Sequence, residues 1–262
     1  MKIRRYILHS LALVLAMCGI AAAAIPGPQR AFAPTLYGLS EISPNVFTDD
    51  VSQKDKWLDI EASANERTEG FFGTLLSNPR YILCSHLACE HSFGKNGNVA
   101  QSYGWSLIHI PPKALENRSV GVILMSHERV HAELTYRWGA SAIWDGKIPS
   151  WFNEGLATMV SQDYRVRSFY GQLPAYSKED RNWIEGSKYF WDWNRFVGER
   201  GWHTAYGAAG EKVAQMQARV GQAGLRRLMD SAIYYGGFEE IMSEMMSKPH
   251  SILTPASSKI LK

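Results

Sequence analysis

Two histidines and a glutamate lie close together near the middle of the chain. They are His127, Glu128 and His131, in the segment "SHERVHAEL". In a helix, residues four positions apart lie one turn apart on the same face, so both imidazoles could bind one metal ion. A glutamate beside such a pair could take a proton from a water molecule without being a ligand itself. The spacing favours a zinc site, and its alternative is a pair of core histidines satisfied by hydrogen bonds.

The residues around these three predict the helix that such a site requires. Ser119 is a suitable N-cap, the apolar run "VGVILM" follows it, and Gly139 comes where the pattern ends. A helix is therefore predicted over residues 120–138. On a helical wheel both histidines lie on one apolar, inward face. That face consists of Ile123, His127, Val130, His131, Leu134 and Trp138.

Arg129, between the two histidines, is an unusual residue for this pattern. On the same wheel it points about 200° away from His127. It falls in a line with Glu133 and Arg137, each one helical turn further along. Glu133 can pair with both arginines at that spacing. We therefore expect Arg129 to lie on a solvent-exposed outer face, where it does not enter the site.

A third metal ligand is predicted beyond a connecting loop. Glu154 lies in "IPSWFNEGLATMVS", where Pro149 and Ser150 suit the start of a second helix. That helix could return the chain and place Glu154 opposite the histidines. Two imidazoles and one carboxylate, with a fourth position open to water, are typical of catalytic zinc sites, whereas structural sites close all four positions. The alternative for Glu154 is a solvated acid near a helix N-terminus.

The segments "HERVH" and "WFNEGLA" together resemble the gluzincins, the thermolysin-like and aminopeptidase-like zinc peptidases of the MA clan. The resemblance implies one Zn²⁺ ion bound by His127, His131 and Glu154, with Glu128 as general base. It also implies a later donor to the oxyanion. Tyr206 in "WHTAYGAAGEKVAQM" is the first candidate for that donor and His203 the second, with plain aromatic packing as the alternative for Tyr206.

The same resemblance implies a zincin-like fold in which an edge strand lines the cleft and pairs with extended substrate. The segment "SLIHI", residues 106–110, is the best candidate for that strand, and a core strand is the alternative. We expect His109 within it to have a structural role rather than a ligand role. The chain departs from the aminopeptidases in its longer gap before Glu154 and in lacking a Gly-x-Met-Glu-Asn segment. We therefore expect an endopeptidase acting on a peptide or protein substrate.

The order of the secondary-structure patterns predicts an α+β fold. β-branched and aromatic residues in "RYILCSH" and "SLIHI" indicate strands between about residues 70 and 112, and helical periodicity follows from about 119 to 246. Strands followed by helices, without βαβ alternation, are typical of this class. Residues 25–56 indicate an irregular lead-in, residues 57–246 a single domain, and residues 247–262 a flexible tail.

The first residues predict export from the cytoplasm. Lys2, Arg4 and Arg5 precede the apolar run at residues 6–25, and small residues at its end suit cleavage after Ala24. Residues 1–24 therefore indicate a signal peptide, with a membrane tether through residues 6–25 or a lipoprotein signal at Cys18 as the alternatives. All three place the folded body in an extracytoplasmic location, secreted or periplasmic. Without residues 1–24 the 28 basic residues fall to 25, equal to the 25 acidic ones, and no nucleic-acid partner is indicated.

Export also bears on the cysteines. Beyond the first 24 residues only Cys84 and Cys89 remain, in "YILCSHLACEHSFG". Two cysteines in an oxidising compartment most simply form a disulfide. Two alternatives are a structural zinc site that also uses His86 and His91, and two free thiols.

These features together predict a zinc-dependent peptide-bond hydrolase. Two other classes of function stay open. One is a zincin-fold module that binds metal or a protein partner without peptidase turnover, and the other is an assembly or chaperone factor without a metal. The sequence does not predict an oligomeric state.

Overall fold

The computed structural model describes residues 27–94, 99–166 and 177–247. The predicted signal peptide or membrane tether lies outside the described residues, and so does the predicted tail beyond Ser247. Within the described ranges, no helix is both long enough and apolar enough to cross a membrane.

A five-stranded mixed sheet forms one side of the structure. Its strand order is β1-β2-β3-β5-β4. β2, β3 and β5 run parallel to one another, while β1 and β4 pair antiparallel at the two edges. The strands are β1 (Ser40–Ser43), β2 (Val46–Thr48), β3 (Arg80–Leu83), β4 (Gln101–Tyr103) and β5 (Leu107–Ile110).

Helices make up most of the remaining described chain. They are α1 (Gly27–Arg30), α2 (Lys54–Phe72), α3 (Leu87–Phe93), α4 (Lys113–Glu116), α5 (Arg118–Trp138), α6 (Ala140–Trp144), α7 (Ser150–Ser161), α8 (Lys178–Gly186), α9 (Phe190–Arg200), α10 (Trp202–Tyr235) and α11 (Phe238–Ser247). Short 3₁₀ turns cover Pro34–Tyr37, Val51–Gln53 and Tyr164–Val166. α10 bends at Gly221, whose φ of 71° and ψ of 167° are not helical. The predicted α+β class is confirmed.

α5 lies in the middle of this architecture. With α2 it covers one face of the sheet, where Trp57, Ile60, Tyr81, Ile108 and Met125 are among the buried residues. The other face of the sheet is covered by α3 and the N-terminal segment, through residues such as Leu39 and Phe93. Away from the sheet α5 packs against α7, which in turn packs against α10. α5 is therefore surrounded on several sides, and side chains from several elements can converge on it.

Two sequence-based expectations about the strands are corrected. The lead-in is not irregular throughout, because residues 40–48 contain β1 and β2. β2 then pairs parallel with β3 after crossing over through α2, which is a βαβ connection. Both strands are short, and β2 gains its stability from β3, which is distant along the chain, so local composition does not indicate them. β1 and β2 therefore belong to the same sheet as the strands that follow residue 57.

The expected edge strand is the second correction. The segment "SLIHI" forms β5, which lies between β3 and β4 and is buried along its whole length. Its apolar residues fit a central strand, so its core-strand alternative holds. β4 is the edge strand on that side of the sheet. His109 is only 1% exposed within β5, and burial lowers its pKa to about 4.

The first residue of α5 differs from the prediction, whereas the cysteine pairing agrees with it. α5 begins at Arg118 rather than residue 120, because the side chain of Asn117 accepts hydrogen bonds from the amides of Ser119 and Val120 and acts as the N-cap. Cys84 and Cys89 form a disulfide with their Cα atoms 5.3 Å apart. The predicted disulfide is confirmed, which leaves neither thiol free for the alternative zinc cluster.

Candidate metal centre

The structure brings the three predicted ligands together. The Nε2 atoms of His127 and His131 each lie 3.3 Å from the same Oε2 atom of Glu154. The ligand atoms of all three residues lie within 4.8 Å of one another. Donors about 2.0–2.1 Å from a tetrahedral ion lie about 3.3 Å apart, so this spacing fits a group that could hold a metal ion. Among the residues that the structure describes, this is the one group of histidine, cysteine and acidic side chains arranged to hold a metal ion.

The helices place these side chains as the sequence predicts. His127 and His131 are one turn apart on α5, and their ring centroids are 4.8 Å apart. Pro149, in an extended conformation, precedes α7 and directs it back across α5. Glu154 follows in the second turn of α7. The side chains of the three residues keep only 11–14% of their surface exposed, so a metal bound there would be largely shielded from solvent.

Gly155 allows α7 to come close enough to α10. A Cβ atom at this position would lie 2.5 Å from the carbonyl oxygen of Ala209 and 2.9 Å from Cγ2 of Val213. Both contacts are shorter than van der Waals distance, and the nearer one involves rigid backbone. Glycine is therefore needed for this helix pair, which carries Glu154 on one helix and Tyr206 on the other.

The electrostatics of the group are those of a tightly held ion pair. Burial alone would lower the pKa of His131, but the carboxylate of Glu154 outweighs burial and raises that pKa to about 9. Burial alone would raise the pKa of Glu154, yet the two histidines hold it well below its usual value. Without a metal, the carboxylate therefore stays charged and shares the positive charge of a histidine. A divalent cation would replace that proton at the same position.

Asn153 fixes the orientation of His131, and sequence reasoning did not identify it. Nδ1 of His131 donates to Oδ1 of Asn153 at 3.1 Å, which directs Nε2 of the same ring toward Glu154. Asn153 directly precedes Glu154 on α7 and is buried. Its position in the sequence was the available signal. Asn153 is next to the predicted ligand Glu154, so on a helix that returns toward α5 its amide can reach the ring of His131.

Glu128 lies beside the ligands without binding any of them. Its residue surface is 8% exposed, and its charge acts on His131, Tyr206 and Tyr103. Within the described residues it has no hydrogen-bond or ion-pair partner. A carboxylate in this position is free to accept a proton from a small molecule at the centre.

Tyr206 reaches the same centre from α10. Its ring lies 5.8 Å from the ring of His127 and 5.1 Å from that of Trp193. Burial raises the pKa of Tyr206 well above its usual value, and the carboxylate of Glu154 raises it further. The hydroxyl therefore stays protonated and can donate. His203, the second candidate, is exposed and stacks on Trp202 with centroids 3.7 Å apart.

The expectation for Arg129 was wrong in one respect. Arg129 does point away from the histidines and toward Glu133, but it is 4% exposed and Glu133 is fully buried. The residues on this side of α5 are covered by the chain segment that joins α2 to β3. The wheel shows only direction, and it does not show that another segment covers that direction.

The buried charges on that side are satisfied by hydrogen bonds. Glu133 accepts from the amides of Leu76 at 2.9 Å and Ser77 at 3.0 Å, and from Nε of Arg137 at 2.7 Å. Arg129 donates to the hydroxyl of Ser77 and, at 2.6 Å, to its carbonyl oxygen. Burial alone would raise the pKa of Glu133, but these donors hold it below its usual value. We call Arg129, Glu133 and Arg137 the anchor face of α5, and His127, Glu128 and His131 its metal face.

Comparisons with known proteins add no relative. No protein-family model matches the chain, and neither a curated protein nor a solved structure matches it.

Proposed function

We propose that this protein is a zinc-dependent peptide-bond hydrolase. The observation that carries the proposal is the convergence of two imidazole nitrogens on one carboxylate oxygen at 3.3 Å each, with Glu128 unpaired beside them. Three protein ligands, rather than four, are typical of catalytic zinc. The resemblance of "HERVH" and "WFNEGLA" to the gluzincins supports the same reaction class.

His127, His131 and Glu154 hold the metal in this proposal. Zinc in that position supplies Lewis-acid chemistry for hydrolysis of a peptide bond. Asn153 keeps the Nε2 atom of His131 available by accepting the proton on Nδ1. The close contact of α7 with α10 at Gly155 fixes the position of α7, which carries Glu154.

Glu128 moves the proton. It lies next to the ligands and has no competing partner in the described structure, so it can take the proton of the attacking water and deliver it to the leaving amine. Tyr206 donates its hydroxyl hydrogen to the oxyanion that forms on the substrate. Its raised pKa keeps that hydrogen in place at neutral pH.

The edge strand β4 provides a surface for an extended substrate. Its outer edge has no neighbouring strand in the described sheet, and an extended peptide can add to such an edge through main-chain hydrogen bonds. β4 packs against α5. Burial raises the pKa of Tyr103 at the end of β4, and the charge of Glu128 raises it further, so this strand lies near the proposed general base. This arrangement favours an endopeptidase.

The test combines metal analysis with peptide cleavage by the full chain. We expect one zinc ion per chain and cleavage of a mixed library of internally quenched peptides. Glu128→Gln should reduce cleavage by about 10²–10⁴-fold while zinc stays bound, and Tyr206→Phe should reduce kcat by about 10²–10³-fold. His91→Gln, at an exposed histidine far from the centre in sequence, should change neither property.

Three outcomes would count against the proposal. If protein purified without chelators carries only traces of zinc, the metal assignment is wrong. If Glu128→Gln cleaves peptides as fast as the unchanged protein, Glu128 is not the general base. Bound zinc with no cleavage of any peptide would instead support the alternative, a zincin-fold module that binds metal or a protein partner without turnover.

A further inference from the structure

Large apolar side chains are exposed together at one end of the molecule. Phe32 is 81% exposed, Leu76 51%, Trp105 50% and Tyr136 47%. The rings of Trp105 and Tyr136 contact each other, with centroids 5.8 Å apart. Single exposed apolar residues are ordinary on protein surfaces, but a group of them indicates an interaction site. We call these four residues the strand-start surface.

Their positions in the fold place all four at the same end. β2, β3 and β5 are parallel, so their first residues lie along one side of the sheet. Leu76 shortly precedes β3, and Trp105 lies in the turn before β5. Phe32 is tied to the first residue of β3, because Nη1 of Arg80 donates to its carbonyl oxygen at 3.1 Å.

The N-terminal chain enters the described structure at this end. A cavity of about 330 Å³ lies beside Phe32 and Arg80, and Pro28 and Gln29 also line it. On its other side it is lined by Ser106 and Leu107, next to Trp105. The chain preceding Gly27 therefore joins the folded body beside the strand-start surface.

The sequence before that point contains an apolar run at residues 6–25, preceded by three basic residues. A run of about 20 apolar residues is long enough to cross the hydrocarbon region of a bilayer. Two residues of extended chain reach about 7 Å, so a run that ends at Ile25 leaves Gly27 close to the membrane. We propose that the strand-start surface lies against a lipid bilayer, with the apolar run at residues 6–25 retained in that bilayer.

The composition of the surface fits the interfacial layer of a membrane. Tryptophan and tyrosine are enriched where hydrocarbon meets headgroups, because each has an apolar ring and a polar atom. Phe32 and Leu76 supply purely apolar contact. Leu36, 81% exposed, adds another apolar side chain shortly after Phe32. A bilayer would remove from water the side chains that the folded body leaves exposed.

The test measures the depth of labelled positions in vesicles. Cys18→Ser leaves only the paired cysteines, so the full chain can then carry one new thiol at Phe32→Cys, Trp105→Cys or Val51→Cys. Val51 is a matched control, because it is 53% exposed and follows β2 at the opposite end of the strands. Each variant is labelled with a fluorophore and reconstituted into phosphatidylethanolamine and phosphatidylglycerol vesicles containing doxyl-labelled lipid. Intact mass establishes whether residues 6–25 are present.

We expect quenching at positions 32 and 105 several times that at position 51, in a chain that retains residues 6–25. Position 105 is decisive, since a tether alone would draw position 32 toward the bilayer. Quenching at 32 without quenching at 105 would therefore overturn the proposal. Equal quenching at all three positions, none at any, or loss of residues 1–24 from the chain recovered from membranes would overturn it as well. A protein partner would be the occupant to examine in those cases.

Discussion

The metal face and the anchor face of α5 use the same residue types for opposite purposes. On the anchor face every charged group has fixed partners, and Glu133 accepts four hydrogen bonds and also pairs with Arg129 at 3.5 Å. On the metal face two imidazoles share one carboxylate oxygen, and Glu128 has no partner among the described residues. Saturated polar groups stabilise a fold, while groups left unsaturated in a buried site are available for chemistry.

The two faces can be tested separately by making the same Glu→Gln substitution at positions 128 and 133, about 1.4 helical turns apart. Glu128→Gln should reduce peptide cleavage by about 10²–10⁴-fold, because an amide cannot accept the proton of water. Zinc content and the free energy of unfolding should change little, since the carboxylate makes no hydrogen bond or ion pair among the described residues. Peptide cleavage, metal analysis and urea unfolding measure the three quantities. A large loss of stability would mean that Glu128 is a structural acid.

Glu133→Gln should have the opposite result. It leaves Arg129 buried without its counter-charge, which should lower the free energy of unfolding by about 3 kcal/mol. Cleavage per folded molecule should persist at low temperature, because Glu133 faces away from the centre. Urea unfolding gives the stability, and the exposed Glu69→Gln on α2 is the control, expected to change it by less than about 0.5 kcal/mol. If Glu128→Gln and Glu133→Gln lowered the free energy of unfolding equally, the division into a metal face and an anchor face would be wrong.

Asn153 tests how far the metal face depends on support from α7. Asn153→Ala removes the acceptor for Nδ1 of His131 and should weaken zinc affinity by about 10–100-fold. Asn153→Asp keeps an acceptor and should restore most of that affinity. Competition with a fluorescent chelator measures both variants. If the aspartate variant binds as weakly as the alanine variant, the hydrogen bond is not what orients His131.

The smallest expected effect is in the pH dependence of stability without metal. The pKa of His131 rises from 6.5 to about 9 on folding, so its contribution is complete below pH 6.5 and is lost as the pH rises toward 9. The melting temperature of the metal-free protein should fall across that range. Zinc should stabilise the protein more as the pH rises, because it binds the unprotonated imidazole.

Thermal unfolding with and without a chelator measures both trends. Glu154→Gln is the control for the metal-free protein, since it removes the carboxylate that raises the pKa of His131. A slope unchanged in this variant would assign the pH dependence to other groups.

The metal face was largely predictable from sequence, while the anchor face was not. Helical spacing alone puts His127 and His131 on one side, and a carboxylate in a second helix can complete the group. The burial of Arg129 depends on Ser77, which is distant along the chain, and no local pattern reports that the segment joining α2 to β3 crosses there. β2 was missed for the same reason, since its partner β3 follows a whole helix later. Asn153 was missed because its contact exists only once α7 has turned back.

Gly155 has a consequence for how the protein tolerates change. α7, which carries Glu154, can lie this close to α10, which carries Tyr206, only because residue 155 has no Cβ atom. A Cβ there would lie 2.5 Å from the carbonyl oxygen of Ala209. A side chain at this position would therefore change the separation of α7 and α10 without replacing any residue of the centre. A single added methyl group would push the two helices apart, and Glu154 and Tyr206 would move apart with them.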